Sequence, residues 1–112
     1  ETHPYGEPVF VHGDLCTDNV LVGNELVLID FADALLAPKC YEHALVLFEY
    51  RAYPAFLRGF FDGEDAEKVY GDVLAGILIH AFGGDLVKDA FGDPAGIPSL
   101  DALYGKICGI RF

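Results

Sequence analysis

His12-Gly13-Asp14-Leu15-Cys16-Thr17-Asp18-Asn19 is followed, eleven residues after the Asn, by Asp30 at the end of Leu26-Val27-Leu28-Ile29. Upstream, the apolar Val9-Phe10-Val11 runs into His12 as an extended segment entering a buried layer does. Downstream, Val20 to Val22 and Glu25 to Ile29 read as two strands joined by a two-residue turn at Gly23-Asn24, residue types that accept the positive φ of tight hairpins. A tight hairpin brings the chain back to where it left. Asn19 before the first strand and Asp30 after the second are therefore expected side by side, with Asp14 one loop away.

Three convergent oxygen-bearing side chains suit phosphoryl transfer from a nucleotide. One carboxylate orients the attacking hydroxyl, and oxygen ligands hold the Mg²⁺ that neutralises the phosphates. Taken singly, Asp30 could merely end a strand, and Asp18-Asn19 could be ordinary turn residues. The joint spacing is what carries the chemistry.

His-Gly-Asp-x4-Asn followed by Ile-Asp-Phe resembles the catalytic and metal-binding loops of the aminoglycoside phosphotransferase and choline kinase-like families, relatives of protein kinases. The match has motif strength over residues 9 to 36; the rest fits a helical C-terminal lobe. The resemblance implies that Asp14 is the catalytic carboxylate, that Asn19 and Asp30 are Mg²⁺ ligands, and that His12 braces the loop. It also implies ATP as donor and a small-molecule hydroxyl as acceptor. Gly13 and Cys16 stand where protein kinases carry Arg and Lys, which favours the small-molecule branch. Ala32, after Asp30-Phe31, departs from the Gly or similarly small turn residue usual there and leaves the course of that loop open.

Composition excludes several classes. With 53% hydrophobic and 22% charged residues, 112 residues form one ordered domain. Seven basic against eighteen acidic residues give a net charge of −11, which disfavours nucleic acid and anionic membrane and suits a neutral or cationic acceptor. Cys16, Cys40 and Cys108 show no Cys-x2-Cys pair, so neither a zinc site nor a disulfide framework is expected, and a reducing, cytoplasmic compartment fits. No apolar run reaches membrane-spanning length. The opening Glu1-Thr2-His3-Pro4, so close to a catalytic loop, reads as a cut.

After Leu36 the period becomes helical. Tyr41, Ala44, Leu45 and Phe48 form a stripe; Pro54 opens a second helix ending near Asp62-Gly63. Asp65 is expected to cap a third helix running through Ala81, with Gly83-Gly84 stopping it. Phe91 to Pro98 reads as a mobile loop, and Ser99 as the cap of a last helix. The expected fold class is α+β, mostly helical: the C-terminal lobe of a protein kinase-like fold, with a short hairpin carrying the metal loop. Its parts are a catalytic loop at 9–19, a hairpin and metal loop at 20–36 and a helical region at 40–112.

The family's N-terminal lobe, with its phosphate-covering loop and lysine, has no counterpart here, since neither Gly-x-Gly-x-x-Gly nor Gly-x4-Gly-Lys-[Ser/Thr] occurs. The chain is thus expected to be an incomplete kinase lobe, inactive alone, whose partner is the missing lobe or another domain. Two alternatives remain at this point. One is a non-catalytic kinase-like interaction module, with Phe10 and Phe31 exposed for a partner. The other is a non-haem iron oxygenase using His12-x-Asp14 with His80.

Overall fold

The central element is a helix that the sequence marks only as a stripe. In the computed structural model, which describes residues 6–112, α1 (Lys39–Glu49) has Ala44, Val46, Leu47 and Phe48 with no exposed surface. Eight of its eleven residues are buried, so it is enclosed nearly all round rather than on one face. The enclosing elements explain this. α3 (Ala66–Ile79) and α4 (Gly83–Phe91) pack on it, and Leu57 of α2 (Pro54–Phe60), Phe61, Val69, Val73, Val87 and Ile107 of α5 (Leu100–Ile107) complete one core.

α1 and α3 meet backbone to backbone at Gly76, where a Cβ would overlap the Cys40 carbonyl oxygen and press on the Ala44 methyl. A glycine that weakens a helix in isolation is here what lets two helices touch.

Two small antiparallel sheets lie before α1. β1 (Val9–Val11) pairs with β4 (Leu35–Ala37), aligning Phe10 with Leu36. β2 (Val20–Val22) pairs with β3 (Leu26–Leu28), aligning Leu21 with Val27. The fold class expected from the sequence is met in its coarse form, mostly helical α+β with five helices and a hairpin. The β1–β4 pair is new: the sequence predicts Val9 to Val11 as extended but gives it no partner.

Several boundaries differ from expectation. The hairpin connection is three residues, Gly23 to Glu25, closed by Gly23 N–H to Glu25 C=O at 3.1 Å, and neither Gly23 nor Asn24 has a positive φ. With a three-residue connection the two-residue turn geometry is not needed. Asp65 occupies the N-cap position of α3 without a side-chain cap bond, whereas Ser99 Oγ does accept from the Ala102 N–H at 3.1 Å.

Gly83-Gly84 does not stop a helix; it starts α4. α3 ends at Ile79, His80 turns to extended backbone, and a Cβ on Gly83 would overlap the Ile77 carbonyl oxygen. Glycine is therefore required by the tightness of the junction. The stop comes at Gly92, with φ 88°. Phe91 belongs to α4, and the loop beyond it holds a 3₁₀ turn (Pro94–Gly96), where Asp93 Oδ1 accepts from the Ala95 N–H at 2.9 Å. The opening Glu1-Thr2-His3-Pro4, read as a cut, lies outside the described residues.

Candidate active site

The loop that carries Asp14 leaves β1 at His12, a residue with 4% exposure. Asp14 N–H donates to His12 Nδ1 at 3.1 Å, which leaves Nε2 to donate to the Ile29 carbonyl at 2.7 Å. One imidazole thus joins the loop holding Asp14 to the residue preceding Asp30. Phe31 packs on the same ring, centroids 4.5 Å apart.

Gly13 sits at φ 89°, and a Cβ there would overlap the Asp33 carbonyl oxygen. Any larger residue would force apart the two loops that carry Asp14 and Asp30.

Asn19 closes a 3₁₀ turn (Thr17–Asn19) and is buried. Its Nδ2 donates to the Asp14 carbonyl at 2.9 Å and to Asp14 Oδ2 at 3.3 Å. Both bonds come from the amide nitrogen, so Oδ1 is the acceptor oxygen of the side chain that they leave unused. The Asn19 carbonyl accepts from the Ile29 N–H at 3.0 Å, so the hairpin does place Asn19 beside the Asp30 segment.

Asp30 is exposed and is the only non-glycine with positive φ among the described residues, at 58°. Asp tolerates this left-handed region better than most residues because its short side chain bonds locally. Here Oδ1 accepts from the Ala32 N–H at 3.3 Å. The departure at Ala32 is thereby explained: Asp30 itself takes the special conformation, and position 32 needs no glycine.

Sequence reasoning missed Glu42. Its buried carboxylate accepts from His12 N–H at 2.6 Å through Oε2 and from Gly13 N–H at 3.2 Å through Oε1. Charge-assisted bonds to two successive amides anchor the Asp14 loop to α1. A signal existed: Glu42 interrupts an apolar helical stripe between Tyr41 and Ala44, and a carboxylate facing a core must have partners.

Cys16 lies in the same loop. Burial chiefly pushes its thiol up, opposed by the Asp18 backbone hydrogen bond and helped by the Asp14 and Glu49 charges. It stays a thiol, with no nucleophile's task. No disulfide forms among the three cysteines.

The iron triad is not supported. His80 closes α3 rather than lying on a strand, both His12 ring nitrogens are engaged, and no group of three or more His, Cys, Asp or Glu among the described residues could hold a metal. A cavity of about 450 Å³ is lined by α3, α4 and α5 residues such as Ile77, Val87 and Leu103, and by none of the motif side chains.

A family model, the phosphotransferase enzyme family (APH), matches residues 1–74. The chain belongs to this phosphotransferase family. Comparison with curated proteins and with solved structures gave no match. Membership implies a kinase-like fold and a small-molecule substrate, and kinases of the family generally use ATP and Mg²⁺. The match spans both sheets, α1, α2 and the first part of α3; α4 and α5 lie beyond it. Among the described residues no helix is long and apolar enough to cross a membrane.

Proposed function

We propose that the chain is the C-terminal lobe of an ATP-dependent phosphotransferase acting on a hydroxyl of a small, neutral or cationic molecule. Asp14 orients and deprotonates that hydroxyl; Asn19 and Asp30 hold Mg²⁺; His12 and Glu42 fix the loops. The observation that carries the reading is the hydrogen-bonded set Asp14–Asn19–Ile29–His12, which couples the two motif loops into one unit. When bound, Mg²⁺ supplies charge neutralisation at the transferring phosphate.

A second observation supports a partner lobe. Nine of the fourteen exposed large apolar side chains among the described residues lie between Phe10 and Leu36, on the strands and loops carrying the motif. Exposed apolar surface of that concentration marks an interface. A nucleotide-binding N-lobe, supplied by another segment or chain, is the occupant this reading assigns. A reducing, cytoplasmic setting suits the enzyme.

Mn²⁺ standing in for Mg²⁺ tests the metal assignment. Titrated with ADP into the ¹⁵N-labelled chain, it should broaden Asn19 and Asp30 resonances first, and Asp30→Ala should abolish the effect. Broadening centred elsewhere on this acidic surface would remove the assignment. A chain that binds its partner lobe yet never supports nucleotide-dependent transfer is instead the non-catalytic interaction module.

A further inference from the structure

The β2–β3 hairpin carries aliphatic side chains on both faces. The register that pairs Val20 with Leu28 and Val22 with Leu26 sets these four on one side of the strands, with Leu21 and Val27 on the other. The first side stands over the end of α1 and over α2 without closing on them: Val22 stays 80% exposed and Leu26 59%. Beneath it lie two cavities, of about 210 Å³ and about 150 Å³, that share Val20, Tyr50 and Phe56 as walls.

Of the shared walls only Tyr50 carries a polar side-chain atom. The residue is 5% exposed, and its hydroxyl is buried without a hydrogen-bond partner. Its ring is held in place, stacked on Phe56 at 4.0 Å and 12°, with Tyr53 edge-on at 6.4 Å. Burial, with the Cys16 and Glu49 charges adding to it, pushes the phenol up to about 12, so the group keeps its proton and is a donor as well as an acceptor. Buried tyrosine hydroxyls usually find a partner, and one left unpaired is destabilising. Water is a poor candidate for that partner. An ordered buried water needs two to four polar groups, and among the side chains of the smaller cavity Tyr50 is the only one.

We propose that the two cavities form one binding site for a small uncharged ring compound bearing a hydroxyl or carbonyl group, its apolar body beneath the hairpin and its oxygen hydrogen-bonded to the Tyr50 hydroxyl. Size, charge and polarity each follow from the walls. An apolar cavity of about 150 Å³ holds a benzene ring. No charged side chain lines either cavity, so an ionic ligand would lose its hydration uncompensated. The unpaired hydroxyl sets the one polar contact. Asp14, Asn19 and Asp30 line neither cavity, so the site is separate from the proposed phosphotransfer centre. Leu21 and Val27, on the opposite face of the hairpin, are left to a nucleotide-binding lobe.

The test is NMR titration of the ¹⁵N-labelled 112-residue chain with benzyl alcohol and with ethylbenzene, probes of matching shape that differ by a hydroxyl against a methyl group. Both should shift amides of the hairpin and of α2. Tyr50→Phe, which keeps the ring, should weaken benzyl alcohol by roughly 2–10-fold, the worth of one hydrogen bond, and should not weaken ethylbenzene. Without a probe, Tyr50→Phe should melt no lower than the native chain, because the removed hydroxyl has no partner to lose. A lower melting temperature, or a variant that does not fold, means that the hydroxyl is already paired and overturns the proposal. So do the absence of shifts with both probes, shifts centred on Ile77 and Leu103 instead, and a Tyr50→Phe chain that binds benzyl alcohol as the native chain does or loses both probes alike. No arm reads metal or nucleotide, so failure here and failure of the Mn²⁺ titration are separate results.

Discussion

At the scale of single residues, the loop that carries Asp14 is built from two requirements that pull in the same direction. Gly13 must be glycine because its φ of 89° and the Asp33 carbonyl leave no room for a Cβ. Gly13→Ala should destabilise the chain by roughly 2–5 kcal/mol, combining left-handed strain with overpacking against rigid backbone. Thermal melts check the loss, and a native melting temperature would mean the loops are not packed as described. Glu42 is the second requirement. In Glu42→Gln one amide oxygen still accepts, but the NH₂ group faces a backbone N–H, donor against donor. We expect about 1.5–3 kcal/mol of destabilisation, with His12 and Gly13 amide exchange accelerated ahead of the helical core. Uniform acceleration across the chain would assign Glu42 to general stability rather than to the loop. The motif itself was readable from residue types and spacing. Glu42 was legible only as an acid in an apolar stripe that must have partners, since which partners it has is fixed by the loop that lies opposite it.

Among the elements, glycines decide where helices end and where they touch, and their types alone do not say which. Gly71 and Gly76 look equivalent in the sequence of α3. A Cβ at Gly71 meets nothing within 4 Å, while one at Gly76 overlaps α1 backbone. Gly71→Ala should therefore stabilise by about 0.5–1 kcal/mol through helix propensity. Gly76→Ala should destabilise by about 3 kcal/mol, since the Cys40 carbonyl cannot yield as a flexible side chain would. Urea midpoints for the two variants should move in opposite directions; movement in the same direction would refute the α1–α3 contact. The same physics limited the reading of other elements. The hairpin, α1, α2, α3 and the Ser99 cap follow from local periodicity and capping. The β1–β4 pair did not, because a three-residue strand pairing across more than twenty intervening residues leaves no periodic trace. α4 was hidden behind Gly83-Gly84, whose service to a tight junction is a tertiary fact.

For the molecule as a whole, a half-buried histidine and an open apolar face set behaviour that no single element shows. Desolvation, the largest cause, lowers the pKa of His43 from its ordinary 6.5, against smaller upward pulls from Glu64 and Asp72. The unfolded chain then binds a proton that the folded chain refuses. Stability is complete above pH 6.5 and falls as pH drops from there toward the folded-state value, with a limiting slope of about 1.4 kcal/mol per pH unit for one such group. His43 packs edge-on to Phe60 and Phe61, so His43→Leu should fold and should flatten this part of the stability curve by up to one proton; an unchanged slope would exclude His43 as its source. Function is set at this scale too. Positioning and charge neutralisation supply nearly all of the rate in phosphoryl transfer, and in the function proposed above the exposed apolar residues from Phe10 to Leu36 await a nucleotide-binding lobe. The 112-residue chain alone should give no more than trace transfer from ATP to any hydroxyl acceptor. Joined to a nucleotide-binding lobe, it should turn over, with Asp14→Asn lowering kcat by orders of magnitude while nucleotide binding persists, because the lost interaction belongs to the transition state. Asp30→Ala should instead weaken metal-nucleotide binding and turnover together, and Cys16→Ala should change neither. Robust transfer by the isolated chain, or an Asp14→Asn enzyme running at native speed, would overturn the mechanism.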